Sequence, residues 1–145
     1  MKANTINNNL GKVQGWNNIT TNLFGRDVVG IEELSYKDKV GKSNVKGAGK
    51  FAIGRTEENY DAEASITLLK EELDAIKNSL PPGMRIQDIE MSDIVVEYAL
   101  KSGEIKKDII RGAEFTEQEI TVKQGDGAIW VKLPLIITLI DWNQR

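Results

Sequence analysis

Two short motifs in this chain match parts of known reactive sites. Gly41-Lys42-Ser43 matches the end of a phosphate-binding loop. That loop needs a glycine at position 36, where this chain has Tyr36, and a helix afterwards, where the pattern predicts a strand. Ser43-x-x-Lys46 matches a serine–lysine nucleophile motif, but both of its companion motifs are absent from the sequence. Neither motif therefore predicts catalysis or phosphate binding.

A glycine pattern and two acidic groups are the other candidates for chemistry. Gly47-x-Gly49 followed by Gly54 lacks the spacing of a dinucleotide-binding turn and falls between predicted strands. The acids match no calcium loop and are typical of solvated faces: Glu57, Glu58, Asp61, Glu63 and Asp88, Glu90, Asp93. The chain has no histidine and no cysteine, which removes the commonest general base and thiolate metal ligands. We expect no enzyme activity, no cofactor and no bound metal.

Composition places the chain among ordinary soluble globular proteins. It has 145 residues, of which 40% are hydrophobic and 28% charged, with a net charge of −3. This length predicts a single domain over residues 1–145. The N-terminal residues have no apolar core typical of a signal peptide, and Lys132 and Pro134 interrupt the longest apolar run. We expect no membrane association, and the lack of cysteine fits a reducing compartment.

Most of the pattern predicts β-structure. Residues 1–27 predict a loosely structured arm that packs through Trp16, Leu23 and Phe24. Tyr60 to Leu68 alternates apolar and polar residues, which predicts a strand with one wet face. The other predicted extended segments are 28–39, 43–53, 94–100, 105–111, 115–123 and 128–140, with Gly41 as a turn and residues 54–59 as a connection. Ser102-Gly103 and Gly125-Asp126-Gly127 predict two further turns.

One segment has helical periodicity. Leu69, Leu73, Ile76 and Leu80 repeat at the spacing of a helix, and Pro81 follows directly. The opposite side is polar and includes Glu71 and Glu72. We expect a short helix that covers one face or opening of the sheet.

Charges are sorted along the middle of the chain. From Lys37 to Arg55 there are six basic residues and one acid, whereas from Glu57 to Asp74 there are seven acids and one base. Two arms of opposite charge can pair within one hairpin, or each can pair with the next copy of the chain. The second possibility favours a self-assembling subunit, because a ring requires unlike surfaces of one subunit to match.

A longer set of residues has the pattern of a known protein family. These residues run from Gly30-Ile31 through Tyr36-Lys37-Asp38, Val45-Lys46-Gly47-Ala48-Gly49, Ile53-Gly54-Arg55-Thr56 and Tyr60-x-Ala62-Glu63-Ala64-Ser65-Ile66-Thr67-Leu68 to Glu71-Glu72-Leu73. Together they resemble the tail tube proteins of bacteriophages. Trp16-Asn17-Asn18-Ile19 and Ile140-Asp141-Trp142-Asn143 fit the same family. The resemblance covers most of the chain and includes contractile and non-contractile tails.

The resemblance implies a mainly β fold with one short α-helix, arranged as a β-sandwich or open barrel with a long β-hairpin. Tail tube subunits form stacked hexameric rings around a channel that conducts DNA into the host. The implied partners are further copies of the chain, a tape-measure protein, baseplate and tail-completion proteins, and a sheath protein in contractile tails. The implied location is the virion tail, after assembly in the host cytoplasm.

Candidate site residues follow from the charges and the resemblance together. We expect contacts between subunits or rings at Lys42, Lys46, Gly47, Gly49, Lys50, Arg55, Glu57 and Glu58. The channel passes DNA without retaining it, so its wall should be acidic or neutral, and the polar face of the alternating strand has that character: Asp61, Glu63, Ser65 and Thr67. Alternative functions are the tube of a contractile injection or type VI-like system, a β-sandwich binding module that does not assemble, and a metal-dependent hydrolase.

Overall fold

A computed structural model describes residue 15 and residues 19–23, 25–100 and 103–144 of the chain. The expectations for Trp16, Phe24 and Ser102, and for most of the predicted arm, lie outside these residues. The strands are β1 (Ile19–Leu23), β2 (Arg26–Val28), β3 (Ile31–Lys46), β4 (Ala52–Leu69), β5 (Ser92–Ala99), β6 (Ile105–Phe115), β7 (Trp130–Ile136) and β8 (Leu139–Gln144). The helix α1 (Lys70–Asn78) follows β4, and a short 3-10 turn spans Ile86–Asp88.

The strands pair antiparallel in the order β2-β1-β5-β6-β7-β4-β3, and β8 pairs with β6 beside this path. Most of β6 pairs with β5 and β8, but its last residues, Glu114 and Phe115, pair with β7. β6 thus joins two halves of the sheet. The change occurs beside Gly112, whose φ of +66° favours glycine. A Cβ there would collide with the Thr138 hydroxyl.

The two halves bury one core between them. Ile94, Val96 and Ile110 from the first half share a cluster with Ile66 and Leu133 from the second, and all five side chains are fully buried. The two halves therefore form the layers of a sandwich.

Helix α1 closes the core as its periodicity predicts. Leu73 is fully buried, Ile76 is 6% exposed, and both belong to the core cluster. Glu72 is also buried, contrary to the expectation that it lies on the wet side of the helix. Its carboxylate accepts a hydrogen bond from the Gly30 N–H over 3.2 Å, which ties the start of the helix to the segment before β3.

Residues 31–69 contain two long paired strands where the sequence predicts several shorter segments. Gly41 does not form a turn, and residues 54–59 do not form a connection, because both lie inside the long strands β3 and β4. The turn falls at residues 47–51, where the sequence predicts a strand. These segments form one long hairpin, in which Gly41 lies at a register shift between Val40 and Lys42. The general expectation of a long hairpin is correct, whereas its predicted subdivision is wrong.

Two further strand predictions differ from the structure. Residues 116–123 lie outside any strand, since β6 ends at Phe115. The predicted strand 128–140 is divided between β7 and β8. Ile137 and Ile140 are both buried, so the alternation shifts by one residue between them and leaves Leu139 37% exposed. The Gly103 and Gly125 turns are present, each with positive φ.

Candidate assembly surface

The outer half of the β3–β4 hairpin projects away from the sandwich. Residues 42–61 are all exposed, on both arms and around the turn. Phe51 and Ile53 at the tip are 78% and 75% exposed, and Val45 is 43% exposed. Apolar side chains held in water on a two-stranded ribbon are typical of a surface that another molecule covers.

Every predicted interface residue lies on this projecting ribbon. Lys42 faces Glu57 across the ladder, and Lys46 ends β3. The turn contains Gly47, Gly49 and Lys50, and β4 contains Arg55 and Glu58. The ribbon therefore carries all eight residues, on both of its exposed faces and at its tip. Whether they contact another subunit stays a prediction.

The basic and acidic arms meet within the hairpin. Lys37 pairs with Glu63 at 2.7 Å, and Lys39 lies opposite Asp61. The hydrogen bond from Lys37 and its positive charge lower the pKa of Glu63, although both side chains are mostly exposed. Part of the charge segregation is thus satisfied by cross-strand pairing inside one subunit.

Glu58 is held against the irregular part of the ribbon. Ser43 donates its hydroxyl to the Glu58 carboxylate over 2.9 Å. A Cβ on Gly41 would lie 3.0 Å from the Glu58 Cβ. Gly41 therefore allows the Glu58 side chain to lie close to β3, and a close approach, rather than a turn, is the role of this glycine.

The predicted channel residues share the outer face of the second half of the sheet. Asp61, Glu63, Ser65 and Thr67 lie opposite Lys39, Lys37, Ser35 and Glu33, respectively. On the other side, Lys132 of β7 lies opposite Thr67. The face holds four acids (Glu33, Asp61, Glu63, Glu114) and three bases (Lys37, Lys39, Lys132), so its formal charge is only −1. Its assignment to a channel stays a prediction.

A polar network fastens the base of the hairpin to the sandwich. Tyr36 on β3 donates its hydroxyl to Asp108 on β6 over 2.6 Å. The Tyr98 hydroxyl on β5 lies 2.5 Å from the Tyr36 hydroxyl. Burial raises the pKa of Tyr36 strongly, and the hydrogen bonds with Asp108 and Tyr98 raise it further. The neutral phenol is therefore the form that the folded protein stabilises.

Strand β8 is part of the same network. Asp38 on β3 accepts hydrogen bonds from the Tyr60 hydroxyl, over 2.7 Å, and from the Trp142 indole N–H, over 2.8 Å. The Tyr36 and Trp142 rings lie 5.4 Å apart. The Ile140 N–H donates to the Tyr60 hydroxyl over 3.1 Å. The sequence contains no local signal for this network, because its members are far apart along the chain.

Two features are absent from the described part of the chain, a cluster of metal ligands and a membrane-spanning helix. The residues that the structure describes bring together no group of three or more acids able to hold a metal ion. No helix in the described ranges combines the length and apolar character needed to span a bilayer.

Comparison with known proteins identifies the fold. No protein-family model and no curated protein matches the chain. Among solved structures, a chain of the tube-terminating cap of the anti-feeding prophage has a TM-score of 0.65 at 10% identity, with 92% of this chain and 93% of that chain covered. A chain from the sheath/tube terminator of the PVC extracellular contractile injection system has a TM-score of 0.66 at 10% identity, with 94% and 100% covered. The protein has the tail-tube fold.

A third solved structure is also similar to this chain. A chain of the PVC sheath–tube complex has a TM-score of 0.59 at 11% identity, with 90% of this chain and 92% of that chain covered. The resemblance that the sequence predicts is therefore confirmed for the fold, and so is the mainly β class with one short helix. At these identities the likeness concerns the fold alone, and function has to be argued from the surface of this chain.

Proposed function

We propose that this protein is a structural subunit of a tail tube, or of the ring that terminates such a tube, and has no catalytic activity. The observation that carries this proposal is the β3–β4 hairpin, whose outer half leaves Phe51 and Ile53 in water. A ribbon of this length with an apolar tip gains stability when a neighbouring subunit covers it. The tail-tube fold supports the same function, because similar chains belong to tube and terminator assemblies.

In the tube form, copies of the chain make hexameric rings that stack through the projecting hairpin. The ring encloses a channel for DNA, and the weakly acidic face around Glu63 and Ser65 lines it. Partners are further copies, a tape-measure protein, baseplate or tail-completion proteins and, in a contractile tail, a sheath. The location is the virion tail or an equivalent injection system, after assembly in the cytoplasm of the producing cell.

A terminating ring is the second candidate. The two terminator structures have TM-scores of 0.65 and 0.66, whereas the sheath–tube complex has a score of 0.59. A terminator uses one face of its ring to bind the last tube ring and does not stack further copies of itself. The same hairpin would then contact the tube protein.

Negative-stain electron microscopy of the purified protein tests both forms. Tubes of variable length indicate a tube subunit, and single rings that do not stack indicate a terminator. A protein that stays monomeric at high concentration and low salt contradicts both forms and favours a binding module that does not assemble. Size-exclusion chromatography with light scattering gives the same distinction in solution.

A further inference from the structure

One exposed segment has the sequence of a strand but no strand partner among the described residues. Residues 116–123, Thr-Glu-Gln-Glu-Ile-Thr-Val-Lys, follow β6 directly and lie outside any strand. Ile120 and Val122 occupy alternate positions and are 39% and 62% exposed. Glu117, Glu119, Thr121 and Lys123 occupy the other alternate positions and are also exposed. This alternation is typical of a strand that buries one face in a sheet.

The sheet has one long open edge. β3 stands at the end of the strand order, and its only partner among the described strands is β4. β2, at the opposite end, has three residues, whereas β3 has 16. An edge of this length presents a row of backbone N–H and C=O groups to which an extended segment of another chain can add.

We propose that residues 116–123 of one subunit add as an antiparallel strand to the β3 edge of the next subunit. The proposal rests on the ring assembly proposed above and identifies the contact that closes the ring. The molecule that covers the β3 edge is a second copy of this chain. The contact is heterologous, since the segment and the edge are different surfaces of one subunit, and a ring needs such a contact.

The side chains select one register. When Glu119 is placed opposite Lys37 in antiparallel pairing, Glu117 meets Lys39 and Lys123 meets Glu33. Thr121 then meets Ser35. The first three pairs join opposite charges, and the fourth joins two small hydroxyl side chains. Cross-strand pairs of these kinds stabilise antiparallel sheets.

The same register also places apolar side chains opposite one another on the other face of the strand. Ile120 falls opposite Tyr36, and Val122 falls opposite Leu34. Tyr36 and Leu34 are partly buried and pack against the core. Ile120 and Val122 would extend this apolar layer into the neighbouring subunit. A parallel alignment with Glu119 opposite Lys39 places Val122 opposite Lys42, so the antiparallel register accounts for both faces better.

A designed disulfide tests the register directly. The chain has no cysteine, so the only disulfides in a double variant are those that connect the introduced residues. Ser35→Cys with Thr121→Cys places two thiols directly opposite across the proposed contact, within the Cα separation of about 4.4–6.8 Å that a disulfide needs. The matched control is Ser35→Cys with Thr116→Cys, because Thr116 is also an exposed threonine in this segment but is not opposite Ser35.

Oxidation of the assembled Ser35→Cys/Thr121→Cys protein should give a ladder of covalent oligomers on a non-reducing gel, and the control should give far fewer. If rings or tubes form but oxidation gives no ladder, or gives equal ladders in the test variant and the control, the proposed register is wrong. The proposed function would still stand. That result would mean that another segment or another protein covers the β3 edge. A ladder from a protein that never forms rings would support the pairing and contradict the ring.

A charge exchange provides a second test that leaves the subunit core unchanged. Lys123→Glu and Glu33→Lys each place like charges opposite one another, and each should raise the concentration needed for assembly by about fivefold. The double variant restores an opposite pair and should return this concentration towards the wild-type value. Glu90→Lys changes an exposed acid outside the segment and should have no effect. If the two substitutions instead raise the concentration needed for assembly additively in the double variant, the proposed contact is contradicted.

Discussion

Trp142 on β8 donates its indole N–H to the carboxylate of Asp38 on β3 over 2.8 Å, which joins residues 104 positions apart in the chain. The same carboxylate oxygen accepts the Tyr60 hydroxyl on β4. A single acid therefore connects both arms of the hairpin to β8. The ribbon is held at its base, while its outer half stays uncovered for a partner.

Asp38→Ala should destabilise the isolated subunit. The variant removes the Asp38 carboxylate, which accepts hydrogen bonds from the Tyr60 hydroxyl and the Trp142 indole N–H. Both donors then lose their acceptor. We expect a loss of about 1–2 kcal/mol in the free energy of unfolding. Asp61→Ala is the matched control, because it removes an exposed acid from the same hairpin and should change stability by less than about 0.5 kcal/mol. Urea unfolding followed by tryptophan fluorescence measures both, and equal losses would contradict the anchoring role.

Stability should fall at alkaline pH. Burial is the main cause that raises the pKa of Tyr36 and of Tyr60 above the ordinary tyrosine value of about 10. Above about pH 10 the unfolded chain loses these protons while the folded protein keeps them, so the unfolded state is favoured increasingly as the pH rises. Tyr36→Phe should lessen this dependence, as measured by urea midpoints between about pH 9 and pH 11. An unchanged slope in the variant would assign the dependence to other groups, such as the lysines.

Leu73→Ala should remove a core contact of helix α1. Leu73 is fully buried, so the truncation leaves a cavity and should cost about 2–5 kcal/mol. The control is Ala75→Gly, on the exposed side of the same helix, with an expected cost of about 1 kcal/mol. The melting temperature of a form that does not assemble is the measurement. A smaller loss for Leu73→Ala than for the control would contradict its place in the core.

Lys46→Glu with Lys50→Glu should weaken assembly. If the hairpin tip meets an acidic surface of another subunit, two reversed charges turn attraction into repulsion, and added salt should weaken wild-type assembly as well. Light scattering against salt concentration provides the measurement, and the double variant should remain a monomer or a small oligomer. Lys77→Glu, outside the hairpin, serves as the control. Normal tubes from the double variant would count against this interface.

Asp61→Lys with Glu63→Lys should affect DNA passage rather than assembly. Two added cations on a wall that faces DNA would pair with phosphates and retain the DNA. Tubes should form normally on electron microscopy grids, whereas DNA delivery by assembled particles should fall. Failure to form tubes would indicate that Asp61 and Glu63 lie in an interface between subunits. Undiminished DNA delivery would show that they do not line the channel.

The sequence predicts the parts of the fold that have one buried and one wet face. Ala64, Ile66 and Leu68 alternate along β4, and each is buried. Leu73 and Ile76 follow helical spacing, and both are buried. In such segments burial imposes a period on the sequence, and this period can be read without a structure.

The outer half of the hairpin and the polar network cannot be predicted from the sequence, for two different reasons. Residues 42–61 are exposed to solvent on both faces, so nothing requires apolar and polar residues to alternate there. Gly41 and Gly54 therefore predict breaks that the strands β3 and β4 do not have. The contacts of Tyr36 with Tyr98 and Asp108 join residues 62 and 72 positions apart. Partners at this separation leave no spacing pattern in a single sequence. Only the paired strands bring them together.

The order of synthesis gives the contact between Asp38 and Trp142 a further consequence. A ribosome adds about 5–20 residues per second, so the 104 positions that separate these residues correspond to roughly 5 to 20 seconds. A hairpin closes in microseconds, so β3 and β4 can pair as soon as both have left the ribosome. For most of those seconds the nascent hairpin has its apolar tip exposed while the strand that fastens its base does not yet exist.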